Sequence, residues 1–240
     1  PEMLEKLRAY ILSEQLGKPR GFEVESIHYG GWDLLGAMGV IGRTSGTNVS
    51  ITSFALEGPE DCSGEEYEEA RRRALRWVKP LQSGTDGGFR FEADVAGLNN
   101  KALWHDEERN RPRSYGTVTC DGLHCLRLAG APTEDAALRR AVAWIAAHRE
   151  LDDVPGFEDV PPELGWQAGL RFYYYQSLGR ALRGLPEEDV SAFRARLAAR
   201  LLELQQPDGS WINDSARMRE DDPLIATAFA LTALGELLAE

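Results

Sequence analysis

The chain has 240 residues, 42% hydrophobic and 28% charged, with a formal net charge of −12. That is enough chain for one sizeable core or an array of repeats. No apolar run reaches the ~20 residues of a membrane-crossing helix, and the acidic balance disfavours nucleic acid and anionic membrane surfaces as partners.

Three cysteines (Cys62, Cys120, Cys125) are too few for a disulfide framework and point to a reducing, cytoplasmic compartment. The chain opens at Pro1, not Met, which leaves room for a longer protein of which this is the C-terminal portion. Residues 2–16 read as an amphipathic helix, with Leu4, Leu7, Ile11 and Leu12 at helical spacing. Gln15 ends it, and a glycine-rich loop runs through Gly30-Gly31-Trp32 to residue 48. Residues 48–56 suit a buried helix. Residues 64–81 place Tyr67, Ala70, Ala74, Trp77, Val78 and Leu81 opposite a charged face, as an outer, amphipathic helix does. Gln82 and Gly87-Gly88-Phe89 form a turn, and residues 92–112 read as a polar loop.

Residues 114–128 form a second apolar helix, punctuated by Gly130 and Pro132. Thr133 is expected to cap the next helix, because its hydroxyl can accept from orphan amides. That helix carries Leu138, Ala141, Val142, Trp144 and Ile145 and ends near Glu150, before the turn Asp152 to Phe157. A third apolar helix spans residues 165–182, with Trp166, Phe172, Tyr173, Tyr174 and Tyr175. Pro186 opens an outer helix to residue 204, Gln205 to Trp211 form a turn, and Pro223 opens a last apolar helix through Leu238. His28 and His105 fall in loops and are expected to face solvent.

The phrase recurs. Tyr10, Trp77, Trp144 and Leu201 each stand five residues before Gln15, Gln82, Arg149 and Gln206, at separations of 67, 67 and 57 residues. Each of the four units combines a polar-faced helix, a Gln/Gly/aromatic turn, a variable loop and an apolar helix. Such units bury their apolar faces only against their neighbours.

These turns resemble the glutamine–tryptophan repeats of squalene–hopene cyclases and the related protein prenyltransferase β subunits. The resemblance covers nearly the whole chain and is strongest from Gln206 to Leu231, through Asp208-Gly209-Ser210-Trp211 and Asp222-Pro223-Leu224. It implies one all-α domain over residues 1–240. The expected architecture is an α/α toroid, in which inner helices line a central cavity and outer helices surround them. Four hairpins fall short of a full ring, so missing N-terminal hairpins or a partner chain would complete it. The function implied is binding or transformation of an apolar, isoprenoid-type molecule. The alternative is a noncatalytic interaction module on the same scaffold.

The chemistry of the resembled families is not intact. Their cyclases protonate an alkene with an Asp-x-Asp-Asp motif; Glu150-Leu151-Asp152-Asp153 and Arg219-Glu220-Asp221-Asp222 only approach it. An Arg in the first position favours ionised carboxylates, and capping of the following helix is the plainer role for Asp221 and Asp222. Their prenyltransferases hold zinc with Asp, Cys and His; only Asp121 remains, with Leu123 and Gln176 in the other places. Asp121, His124 and Cys125 share a helix face beside Cys120, yet no second element brings another ligand. No metal or cofactor is therefore expected. If the chain is catalytic, Asp121, Asp221 and Asp222 are the candidate acids, with Tyr115 and Tyr175 beside them.

Overall fold

A computed structural model of the chain describes residues 2–34, 46–58, 64–94, 100–106, 111–183 and 185–239. The architecture is all-α. The helices are α1 (Glu2–Ser13), α2 (Val49–Glu57), α3 (Glu65–Val78), α4 (Gly116–Leu128), α5 (Ala136–Ala147), the single turn α6 (Trp166–Gly169), α7 (Arg171–Leu182), α8 (Glu187–Leu204) and α9 (Pro223–Leu238). A short antiparallel pair, β1 (Trp104–Asp106) and β2 (Arg111–Pro112), replaces part of the loop expected at residues 92–112. Cys62, most of the loop expected at residues 33–48 and the side chain of His105 lie outside the described residues.

The helices fall into two kinds. α4 and α7 are buried nearly all round, whereas α3 buries one stripe, Tyr67, Ala70, Ala74, Trp77 and Val78. Apolar-all-round helices belong inside and amphipathic ones outside. Accordingly α2, α4, α7 and α9 pack in that order, each on the next, while α3 and α5 pack on α4, and α8 on α7 and α9.

Two of the three turn glutamines, Gln15 and Gln82, stitch the charged-faced helices together, whereas Gln206 is exposed and its side chain donates to the nearby Leu204 carbonyl (3.3 Å). Gln15 Nε2 donates to Gly30 O (2.9 Å) and Ala70 O (2.8 Å), and its Oε1 accepts from Arg73 Nε (2.8 Å). Gln82 Nε2 donates to Gly87 O and Ala137 O (both 2.8 Å), and its Oε1 accepts from Arg140 Nη2 (2.6 Å). Each of these two side chains thus ties the end of one helix to the next charged-faced helix, Gln15 to α3 and Gln82 to the start of α5. At Arg149 the amide is missing, and Arg196 of α8 donates to the Arg149 carbonyl instead (3.2 Å). The backbone N–H groups of Trp32, Phe89 and Trp211 donate to Thr52, Thr119 and Thr227 hydroxyls at 3.2, 3.1 and 3.0 Å, fixing these turns to α2, α4 and α9.

Gly30 and Gly87 adopt φ of +101° and +84°, and a Cβ there would stand 2.3 Å from Arg73 O and 2.9 Å from Arg140 O. Gly30→Ala therefore combines a left-handed alanine with a backbone clash. It is expected to cost more than the ~1–2 kcal/mol of the conformation alone, read as a lower urea midpoint. An unchanged midpoint would remove the close approach from the account.

Local expectations are corrected at five places. α1 ends at Ser13, because Gln15 turns inward. The cap of α5 is Asp135, which accepts from Ala137 N at 2.8 Å, and not Thr133. The helix expected over residues 165–182 breaks at Leu170 into α6 and α7. The break is sustained by Glu220, which accepts from the buried amides of Phe172 (3.0 Å) and Tyr173 (2.9 Å), left without intrahelical acceptors at the new N-terminus. β1 and β2 are the fourth. His28 is half-buried, with Nδ1 2.8 Å from the Thr47 hydroxyl, and burial lowers its pKa.

Candidate functional site

The N-terminal halves of α2, α4, α7 and α9 surround a cavity of about 360 Å³. Along α2, Ser50, Ile51 and Phe54 line it; Thr117 and Val118 come from α4, Tyr173 from α7 and Phe229 from α9. The rings of Phe54, Tyr173 and Phe229 follow one another at centroid distances of 6.2 and 5.4 Å, forming an aromatic wall. Leu170, Met218 and Phe91 extend the apolar lining, and Tyr115 and Lys101 add polar tips.

Asp121 lies behind that wall, 2% exposed. Its Oδ2 accepts from the Ser50 hydroxyl (2.7 Å) and the Tyr173 hydroxyl (2.8 Å). The Ser177 hydroxyl faces the same carboxylate without a well-formed hydrogen bond. Burial raises the Asp121 carboxyl above its usual 3.8, while these hydroxyls and the charge of Arg180 pull it back. Burial and the Asp121 charge also push the Tyr115 and Tyr173 phenols well up, so both stay neutral hydrogen-bond donors.

A folded-state pKa above the unfolded one makes the stabilising contribution greatest below the unfolded value and lost as pH rises through the folded one. Asp121→Asn does not titrate, and its amide oxygen can still accept from Ser50 and Tyr173. Wild-type Tm is therefore expected to fall relative to that of the variant as pH rises above the ordinary Asp value of about 4. A difference that stays constant with pH would contradict the burial argument.

The other expected site residues do not meet there. Tyr175 donates to the Leu151 carbonyl and lies beside Arg200, away from the cavity. Asp221 is exposed, and Asp222 caps α9 by accepting from Leu224 N at 2.9 Å. The buried acid of the 219–222 run is Glu220, fully enclosed and bonded to α7 and to Asn213. Asp152 in the other near-motif is exposed and pairs with Arg200 at 2.9 Å. Of the five candidates, Tyr115 lines the cavity and Asp121 backs it.

The ligand-type residues of α4 are engaged separately. His124 Nε2 lies 2.9 Å from Glu57 Oε1, which Arg180 Nε also approaches at 3.1 Å. Cys125 Sγ points at the Val49 carbonyl (3.5 Å), and Leu123 and Gln176 are packed in the core. Among the described residues no three His, Cys, Asp or Glu side chains converge as metal ligands.

The sequence matches no protein-family model and no curated protein.

Thr117 and Lys101 are among the cavity residues that went unrecognised in the sequence. Thr117 is 1% exposed, and its hydroxyl has no hydrogen-bond partner. Lys101 packs its ammonium 3.7 Å from the centroid of the Phe91 ring and 5.3 Å from that of Trp166. Neither belongs to a motif. Only the rarity of lysine, four in the chain (Lys6, Lys18, Lys79 and Lys101), marks position 101 at all.

Proposed function

We propose that this chain is a terpenoid-cyclase-like domain that binds an apolar, isoprenoid-type molecule in the cavity between its inner helices. The observation that carries the reading is the aromatic wall of Phe54, Tyr173 and Phe229 around about 360 Å³ of space. That volume sits at the small end of the ~300–1,000 Å³ typical of ligand pockets, so a short isoprenoid fits better than a triterpene. In this reading α2, α4, α7 and α9 are the inner row of an α/α toroid, and the glutamine stitches join its outer row.

Binding is better supported than turnover. Asp121, the one candidate acid near the cavity, already accepts two hydrogen bonds behind the wall, and Asp221 and Asp222 sit outside it. A second reading, the noncatalytic interaction module, is favoured by α9, where Leu224, Leu231 and Leu238 are 78%, 55% and 81% exposed on one face.

The test is uptake of a neutral fluorophore, N-phenyl-1-naphthylamine, by the folded protein. Saturable fluorescence enhancement, reversed by geraniol, is expected; no enhancement, or enhancement that geraniol leaves intact, would refute the reading. Should a polyisoprenoid be turned over, Asp121→Asn is expected to slow it and Asp221→Asn to leave it unchanged. The opposite pattern would exclude Asp121 from the chemistry.

A further inference from the structure

A small apolar cavity rarely carries a lysine, since desolvating an ammonium is costly. Lys101 lines this one, and its Nζ meets the faces of Phe91 and Trp166 in place of a hydrogen-bonding side chain. Burial, only partly countered by the charge of Glu92, lowers its pKa to about 8, so an appreciable neutral fraction exists near neutral pH. The free amine is a nucleophile, and a desolvated lysine is the usual way to obtain one.

The charges around the cavity restrict what it can meet. Glu92 bears on both Lys101 and Tyr115, while the charge of Asp121 is offset by Arg180, whose guanidinium lies 4.9 Å over the Phe54 ring. Lys101 thus needs no anionic ligand to balance it, and a neutral carbonyl suits the site. A cation formed at Lys101 would keep Glu92 as its counter-charge and the two ring faces as its cage. Thr117 borders the cavity, and its hydroxyl is enclosed without a hydrogen-bond partner.

We propose that Lys101 captures an apolar aldehyde in this cavity as a protonated imine. The inference rests on the cavity-binding reading above and adds the reactive group of the ligand. The Nζ lone pair attacks the carbonyl carbon, forming a C–N bond as the carbonyl π pair moves to oxygen. That oxygen takes up the proton released from nitrogen, giving a neutral carbinolamine. With one further proton from solvent it leaves as water, and the nitrogen lone pair closes the C=N bond of the iminium. One C=O is exchanged for one C=N, with no change in oxidation state.

The experiment treats the folded protein with citral, a monoterpene aldehyde, and sodium cyanoborohydride, then maps the reduced adduct. With only Lys6, Lys18 and Lys79 as other lysines, each substantially exposed, the chain supplies its own controls. Lys101 is expected to be labelled about tenfold faster than these. Geraniol, the matching alcohol, is expected to suppress labelling at Lys101 and leave the other three untouched. Lys101→Arg is expected to abolish that adduct while its far-UV circular dichroism stays that of the wild type, which shows that the variant is folded. Labelling of Lys101 no faster than of Lys6, with geraniol still bound, overturns the inference and leaves the cavity reading standing. Failure of both geraniol binding and Lys101 labelling overturns the two together.

Discussion

Replacing Trp211 by alanine is expected to lower the unfolding free energy by about 3–5 kcal/mol. The indole is 2% exposed, and its Nε1 donates to the Leu201 carbonyl at 2.7 Å, at the C-terminal end of α8. Its own amide donates to Thr227 on α9. One side chain therefore fills core volume and holds the turn between α8 and α9 at both ends. Alanine would leave a cavity that the helix ends cannot fully close and a terminal carbonyl without its donor. Trp211→Phe keeps most of the volume but loses the hydrogen bond and part of the buried ring, so a smaller loss of about 1–2 kcal/mol is expected. Urea denaturation of the two variants checks both numbers. Equal losses would mean that the hydrogen bond, not the packing, dominates, contrary to this account.

Glu220→Ala is the second large effect, expected at about 3 kcal/mol. Three donors converge on this fully buried carboxylate: the amides of Phe172 and Tyr173, and Asn213 Nδ2 at 2.7 Å. Removing it leaves the first turn of α7 without acceptors in a place water cannot reach. Part of the loss is returned, since burial raises the Glu220 carboxyl and the hydrogen bonds do not fully offset that. Glu220→Gln should therefore cost less than Glu220→Ala. The specific readout is hydrogen exchange at Phe172 and Tyr173, where protection is expected to drop in Glu220→Ala while that of α4 persists. Tyr173 is part of the cavity wall, so loosened exchange there would couple helix capping to ligand binding. Uniform loss of protection across the chain would deny that local role.

The sequence revealed the helices more readily than the site. Period and punctuation carried the elements: Tyr67, Ala70, Ala74, Trp77 and Val78 mark one buried stripe, and Pro223 behind Asp222 marks a helix start. The glutamine turns were visible as a phrase, although their partners (Ala70 and Arg73, Ala137 and Arg140) lie about fifty-five to fifty-eight residues away and needed the fold to appear. The break at Leu170 was hidden because its cause, Glu220, stands 48 residues downstream of the amide it accepts from at Phe172. Asp121 was legible as an isolated acid on an apolar helix. Asp221, Asp222 and Tyr175 were drawn in by adjacency along the chain, and adjacency does not fix direction. Phe172 to Tyr175 illustrate this: of four consecutive aromatics, only Tyr173 reaches the cavity. Lys101 had no local signal, because its burial comes from Phe91 and Trp166 on separate loops and helix turns.

The central claim, that the cavity between α2, α4, α7 and α9 holds an apolar ligand, is tested most directly by calorimetric titration with geraniol. The wild type is expected to bind it with a negative heat-capacity change, the mark of apolar burial. Ile51→Trp, which fills the cavity from α2, is expected to keep its fold and lose the binding. Geraniol binding undiminished in a folded Ile51→Trp would put the ligand elsewhere and contradict the account.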